Sequence, residues 1–474
     1  MLSLFLLIPL AVIVMLNLPF KGVMRKLAFG AGLLLAVGQV VVVVLLAMGL
    51  LSETDVRVPF TLGLSTDNLT LVLLLSIGIV ICTTLLVGWQ TIKPEKQRFN
   101  FVNLVLIAMI GMNGTVMLSD LFSLYIFIEV TAVSSFLLIA FQRGLNALEG
   151  AFKYIVLSAT ATILMLLAIS ILLLASGGTS FETVKNSLGQ FKDNPLVVLA
   201  VGIFICGLFI KGGLVPFHGW LPAAYSAAPA ATSIMLAGIA TKVAGIYALI
   251  RVVTSVFTIN GSINNILLIA GVVSILVGAF AAMGQNDFKR MLAYSSISQI
   301  GYIILGLGCG TALGIIGAVF HLFNHSIFKT LLFVNSAAVE EQSGTTDMSK
   351  LGGLQAKMPV TNATSLIAFL STAGVPPLAG FWSKLLIVIA LWQSGFYTYA
   401  SIAVIASVLT LAYLLIMQRK VFFGKLADGL QNVQEAGFGI NLAASLLAII
   451  TIVVGVLFPF IFNSVIMPIG NFIK

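Results

Sequence analysis

Apolar residues run in stretches of about 20 along the whole chain, and that is the length an α-helix needs to cross the hydrocarbon core of a bilayer. The pattern predicts about fourteen spans, beginning near Leu2, Phe29, Thr66, Phe101, Leu121, Ala151, Leu196, Ser233, Asn264, Met291, Ala312, Pro359, Ala400 and Phe438. The polar connections between them are mostly too short to fold alone. An all-α polytopic membrane protein without a soluble domain is therefore expected. The first stretch lacks a basic start and a small-residue cleavage site, which makes it a span and not a secretory signal.

Two spans are interrupted in the same style. Lys211 to Pro222 reads KGGLVPFHGWLP and holds Pro216 and Pro222; Gly374 to Lys384 reads GVPPLAGFWSK and holds Pro376 and Pro377. Proline removes a backbone donor and glycine adds freedom, so both helices are predicted to break inside the membrane, where freed backbone must line protein or water. Broken helices at corresponding places in two halves point to a transporter's ion path. These lie about 160 residues apart, with four or five spans between them, as two repeats require. Two ordinary proline kinks are the bland alternative, but each break also carries a lysine.

Composition supports the class: 474 residues, 60% hydrophobic, 8% charged, mean hydropathy +1.15, far outside soluble globular proteins. The net charge of +9 would suggest nucleic acid in a soluble chain, whereas here it sorts by membrane side. Alternate loops hold Lys21, Arg25 and Lys26; Lys93, Lys96 and Arg98; Arg143; Lys289 and Arg290; Lys350 and Lys357; Arg419, Lys420 and Lys425. The opposite loops hold chiefly Arg57, Lys185, Lys192 and Lys474. By the positive-inside rule the first set is cytoplasmic and both termini lie outside; the plasma membrane of a prokaryote is the expected location. Cys82, Cys206 and Cys309 stand alone without metal-binding spacing, so no metal or cofactor is expected.

Against this background five charges inside apolar runs stand out. A charge at the bilayer centre costs roughly 2.5 to 3.5 kcal/mol on insertion scales, which marks such groups as functional. Glu129 lies deep in LFSLYIFIEVTAVSSFLLIAF, Lys211 ends VLAVGIFICGLFIK, and Lys242 sits about nine residues into its own span. Hydrocarbon disfavours the charged form of either side chain and a partner charge restores it, so a Glu and Lys pair that separates and rejoins can release and take up a proton. A static ion pair, or snorkelling of Lys211 to the interface, would leave the same letters. His321, His325 and Lys329 follow at intervals of four and stack on one helical face, a plausible proton wire. Haem or metal ligation would want a carboxylate or further histidines, and only His218 remains. Tyr294, Ser295, Ser296, Ser298, Gln299 and Tyr302 give the tenth span polar groups that can hold water. Lys384 closes the second break. Glu149 and Lys153, four apart near a boundary, read as a surface pair.

Taken together, DLFSLYIFIE, FIKGGLVPFHGWLPAAYSAAP, TKVAGIYALIR, DFKRMLAYSSISQIGY, HLFNHSIFKTLLF and GVPPLAGFWSK resemble the antiporter-like subunits of the complex I superfamily. These are the pump subunits of NADH–quinone oxidoreductase, the larger subunits of Mrp sodium/proton antiporters, and their hydrogenase relatives. The resemblance runs from about residue 119 to 390. It implies fourteen core helices in two inverted five-helix repeats, with helices 1–3 over residues 1–100, repeats over 101–258 and 259–424, and a last helix over 425–474. It implies further that Glu129 and Lys211 form the charged pair of the first half-channel, that Lys242 connects to a relay at His321 and His325, and that Lys384 ends the second half-channel. No redox centre is implied, and the short stretch after the last span fits a D-type Mrp subunit or its hydrogenase counterpart.

The expected function is proton translocation through buried Glu, Lys and His. The chain has no catalytic centre of its own, so partner membrane subunits supply the coupling, and sodium exchange stays open. A respiratory pump subunit is the alternative; a stand-alone solute transporter, which would gather its polar residues around one site, is more distant.

Overall fold

The structure, a computed structural model, describes residues 2–19, 21–51, 64, 66–191, 194–257, 261–462 and 467. Arg57, Lys192 and Lys474, which entered the charge asymmetry, lie outside the described residues. The chain is 83% helical, and twelve described helices are long and apolar enough to cross a membrane. Leu4–Leu16 and the interrupted pair Pro359–Ala373 and Ala379–Gln393 occupy the two other predicted positions, with shorter helices.

Both predicted breaks are present, and each begins with a glycine in left-handed conformation. Gly213 (φ 67°) closes Pro195–Gly212 and Gly374 (φ 86°) closes Pro359–Ala373. A side chain is disfavoured there, so glycine ends the helix cleanly. Pro216, Pro376 and Pro377 lie within the breaks. Pro222 does not: it falls in the first turn of Trp220–Ala227, where a missing N–H costs no helical bond.

The helix Ala230–Ser255 runs through the centre, and every residue of its apolar window is buried. Its turns widen to π-helix over Leu236–Ala240 and Lys242–Tyr247. Such bulges are frequent at functional sites. Gly245 presses against the backbone of Gly212, and a Cβ there would fall 2.8 Å from the Lys211 carbonyl carbon. This contact brings the two lysine-bearing helices together without a side chain between them.

Two clasps of the same kind recur along the chain. Asp120 caps Leu121–Ile139 by accepting from Ser123 N at 2.8 Å, and its other oxygen accepts from Thr179 Oγ1 at 2.6 Å. Asp287 caps Phe288–Gly308 through Arg290 N at 2.7 Å and binds Thr346 Oγ1. Backbone bonds Leu121 N to Thr179 O and Phe288 N to Thr346 O complete each clasp. The preceding long helices, Leu145–Ser176 and Ala312–Ser343, both have 32 residues. All these positions share an offset of 167 residues (287 − 120, 346 − 179, 312 − 145). Five candidate spans separate Asp120 from Asp287.

Candidate functional site

In the first half Lys211 and Glu129 meet. Lys211 closes the helix before the break, and its Nζ lies 2.7 Å from Glu129 Oε1 and 2.7 Å from Ser158 Oγ, with Thr162 Oγ1 at 3.3 Å. Thr162 Oγ1 donates to the same Glu129 oxygen at 2.7 Å, so three helices converge on one ammonium. The Lys211 side chain is 3% exposed, whereas Glu129 is 26% exposed. The lysine therefore points inward and does not snorkel. A cavity of about 10 Å³ lined by Tyr154, Ser158, Lys211 and Trp220 adjoins the pair, at the lower limit for one water.

Among the described residues the central lysines, Lys242 and Lys329, have no carboxylate partner. Lys242 is buried and its Nζ donates to Ala237 O within its own π-helical stretch. On Ala312–Ser343, His321, His325 and Lys329 are each 0% exposed, and the two imidazoles lie parallel (3°) with centroids 6.2 Å apart. His321 Nδ1 lies 2.8 Å from Ser383 Oγ, while its Nε2 and both ring nitrogens of His325 have no partner. Lys329 Nζ donates to Ser295 Oγ at 2.7 Å and Leu292 O at 3.2 Å, and Ser295 in turn meets Tyr413 Oη at 2.8 Å. His325 stands within the field of Lys242, Lys329 and Lys384. The unpartnered nitrogens can bind water or a proton without first breaking a protein bond.

The second half ends at Lys384. Its Nζ donates to Thr372 O at 2.9 Å and Ala373 O at 3.4 Å, which are carbonyls freed where the helix stops at Gly374. It also lies 4.5 Å from the Tyr302 ring centroid. Tyr302 stands between Lys384 and His321, with 5.8 Å between its ring and the imidazole.

All seven predicted ionisable residues are thus at or near the core, but no continuous hydrogen-bonded wire joins them among the described residues. Lys211 is closed on Glu129, and Lys242 on its own backbone. The six polar residues of Phe288–Gly308 do not act as one face: Ser295 holds Lys329, Ser296 bonds back to Leu292 O, and Gln299 reaches toward Thr410. Glu149 and Lys153 form the expected exposed pair at 2.6 Å. No group of three or more metal-ligating side chains occurs among the described residues.

Sequence reasoning missed Ser158 and Thr162. The 167-residue offset finds them, since it maps Ser158 onto His325 and Thr162 onto Lys329 (325 − 158, 329 − 162). It also missed the clasp at the other end of the central helix, where Arg251 binds both oxygens of Asp67 and Thr70 Oγ1. Lys289, assigned to a basic loop, is instead buried in the first turn of its helix and paired with Glu340 at 2.6 Å.

Residues 119–410 match the family described as NADH:quinone oxidoreductase/Mrp antiporter, TM. The chain is 32% identical over 370 residues to the D-type subunit of the Na(+)/H(+) antiporter of Alkalihalophilus pseudofirmus, covering 78% of this chain and 75% of that one. It is 35% identical over 324 residues to the N-type subunit of the NADH-quinone oxidoreductase of Desulforudis audaxviator, covering 68% and 64%. Its fold matches a chain of the Mrp complex from Dietzia sp. with a TM-score of 0.89 at 22% identity, covering 100% of this chain and 97% of that one.

Proposed function

This chain belongs to the NADH:quinone oxidoreductase/Mrp antiporter transmembrane family, and on that footing we propose that it is the proton-translocating, antiporter-like subunit of a multisubunit membrane complex of the Mrp cation/proton antiporter kind or its hydrogenase-linked relatives. The observation that carries this reading is the Lys211–Glu129 pair: an inward-facing ammonium held by a carboxylate on another helix, beside a break in its own helix. Parting the pair strands a buried charge at a cost of about 3 to 5 kcal/mol. Moving a proton relieves that cost, so motion of the helices and movement of the proton are coupled.

The proton then passes from Lys211 to Lys242, across the His325, His321 and Lys329 group, and on to Lys384. Each transfer needs water at the unpartnered nitrogens, because direct contacts are lacking. The repeats comprise residues 101–258 and 259–424, each of which holds one clasp. The basic loops face the cytoplasm and the termini face outward, supported by charge asymmetry. The coupling process resides in homologous and small membrane partner subunits, and the exchanged ion is sodium.

A second reading, the pump subunit of an NADH–quinone oxidoreductase, is favoured by the 35% identity to the N-type subunit of such a complex. Affinity purification of the tagged chain from its native membrane separates the two. Co-purifying antiporter subunits without redox partners support the first; flavin- or iron–sulfur-bearing partners support the second. Isolation of the chain alone, active in sealed vesicles, refutes both.

A further inference from the structure

The end of the molecule that carries Lys93, Arg143 and Arg290 holds a half-open chamber of about 230 Å³. It has room for several waters, and the path described above does not use it. Its walls include Gln90 in the last turn of Asn68–Thr91 and Lys93 just beyond it, Gln142 after the Glu129 helix, Ala228 before the central helix, Lys289 in the first turn of Phe288–Gly308, and Glu340 and Glu341 in the last turn of Ala312–Ser343. The charged groups facing it are Lys93, Lys289, Glu340 and Glu341. Gln90 Nε2 holds Glu341 at 2.7 Å, which leaves Glu340 and Lys289 as the pair at its floor.

This pair is unevenly buried. The Lys289 side chain is 3% exposed and reaches Ala228 O at 3.4 Å, while Glu340 is 36% exposed. Glu340 Oε2 lies against Lys289 Nζ yet receives no aligned hydrogen bond. One turn deeper on the same helix Ser336 Oγ is buried without a partner, as is the neighbouring Asn335 Nδ2. Lys329, Ser336 and Glu340 stand at i, i+7 and i+11, so they share one helical face with His321 and His325. A helix rises 1.5 Å per residue, which makes the step from Lys329 to Ser336 about 10 Å, and Ser336 to Glu340 about 6 Å.

We propose that this chamber is where protons exchange between water on the basic face and the Lys329, His325 and His321 column, with Glu340 as the proton carrier and Lys289 as the residue that positions it. The proposal rests on the proton-translocation reading and extends it to a mouth. A proton leaves chamber water and forms an O–H bond on the Glu340 carboxylate as the Lys289 contact loosens. That O–H then breaks as the proton passes, through water at Ser336, to the uncharged amine of Lys329. Glu340 is again a carboxylate, and its ion pair with Lys289 re-forms.

The test uses the intact complex in everted membrane vesicles, with the initial rate of proton movement measured across pH and normalised to assembled complex. Glu340→Gln, Glu340→Asp, Lys289→Arg and, as a control on the whole reading, Glu129→Gln are compared with the native chain. The expected result is a loss of rate on the order of tenfold or more in Glu340→Gln, with a displaced pH profile at native assembly. Glu340→Asp and Lys289→Arg should recover much of the rate. If Glu340→Gln keeps the native rate and pH profile while Glu129→Gln abolishes transport, the chamber proposal falls and the translocation reading stands. If neither variant changes transport, both fall. A rate that declines only in proportion to lost complex makes the pair a structural latch and overturns the proposal.

Discussion

Replacing Glu129 with Gln keeps size and shape and removes one charge. Lys211 then retains Ser158 Oγ at 2.7 Å and Thr162 Oγ1 at 3.3 Å, two neutral acceptors in place of a carboxylate. An ammonium left uncompensated in a buried site costs about 3 to 5 kcal/mol. The protein avoids that cost only by keeping Lys211 uncharged, and in either case the pair no longer cycles. At 1.36 kcal/mol per tenfold, a deficit of about 3 to 5 kcal/mol is a fall in turnover of roughly a hundred- to five-thousandfold. The assay is the proton gradient in everted vesicles, read with a pH-sensitive dye, alongside co-purification of partner subunits. Glu129→Asp, which withdraws the carboxylate by one methylene, should retain part of the rate. The double variant Glu129→Gln/Lys211→Met removes both charges and restores electrostatic balance, so a purely structural tie would let it assemble and transport normally. Unchanged transport in Glu129→Gln, or full transport in the double variant, refutes the reasoning.

Two further outcomes follow from packing and capping. Gly245→Leu drives a side chain into the Gly212 backbone; overpacking of this kind costs about 1 to 3 kcal/mol or more, so the yield of assembled complex should drop sharply, while Gly202→Ala, where nothing lies within 4 Å, should assemble normally. At the far end of the central helix, burial opposes the charge of Asp67, but Arg251 and the Thr70 N–H outweigh it and hold the carboxyl below its usual 3.8. Because the folded value lies beneath the unfolded one, this stabilisation is complete above about pH 4 and fades as pH falls further. Thermal melting of the solubilised complex should show an acid-side loss that Asp67→Asn removes, at a constant cost on the order of 2 kcal/mol at neutral pH.

The buried ionisable residues were legible because hydrocarbon makes any charge conspicuous: Glu129, Lys211, Lys242 and Lys384 interrupt predominantly apolar runs. The breaks were legible from Gly213 and Gly374 with the prolines that follow. Pro222 was misplaced because proline in a first turn leaves the same letters as proline in a break. The π-helical turns around Lys242 were hidden, since LAGIATKVAGIY suits an ordinary helix; in the fold Gly238 packs against Thr330 and Gly245 against Gly212. Ser158 and Thr162 were hidden because hydroxyls in membrane helices commonly bond to their own backbone. Lys289 and Glu340 sit near helix ends, where charges are expected, and only folding joins residues so far apart in sequence.

The central helix has a bearing on how the molecule is made. The apolar window of Ala230–Ser255 is wholly buried inside the protein, and the helix carries Lys242 and Arg251; a lysine presented to hydrocarbon at a helix centre costs roughly 2.5 to 3.5 kcal/mol. Such a segment gains little by leaving the insertion machinery early, before Asp67, Thr70 and the surrounding helices offer it partners. Biogenesis should therefore hold it back until the spans on both sides of it in the chain have been threaded, so that the last element to settle is the one on which both halves of the molecule close.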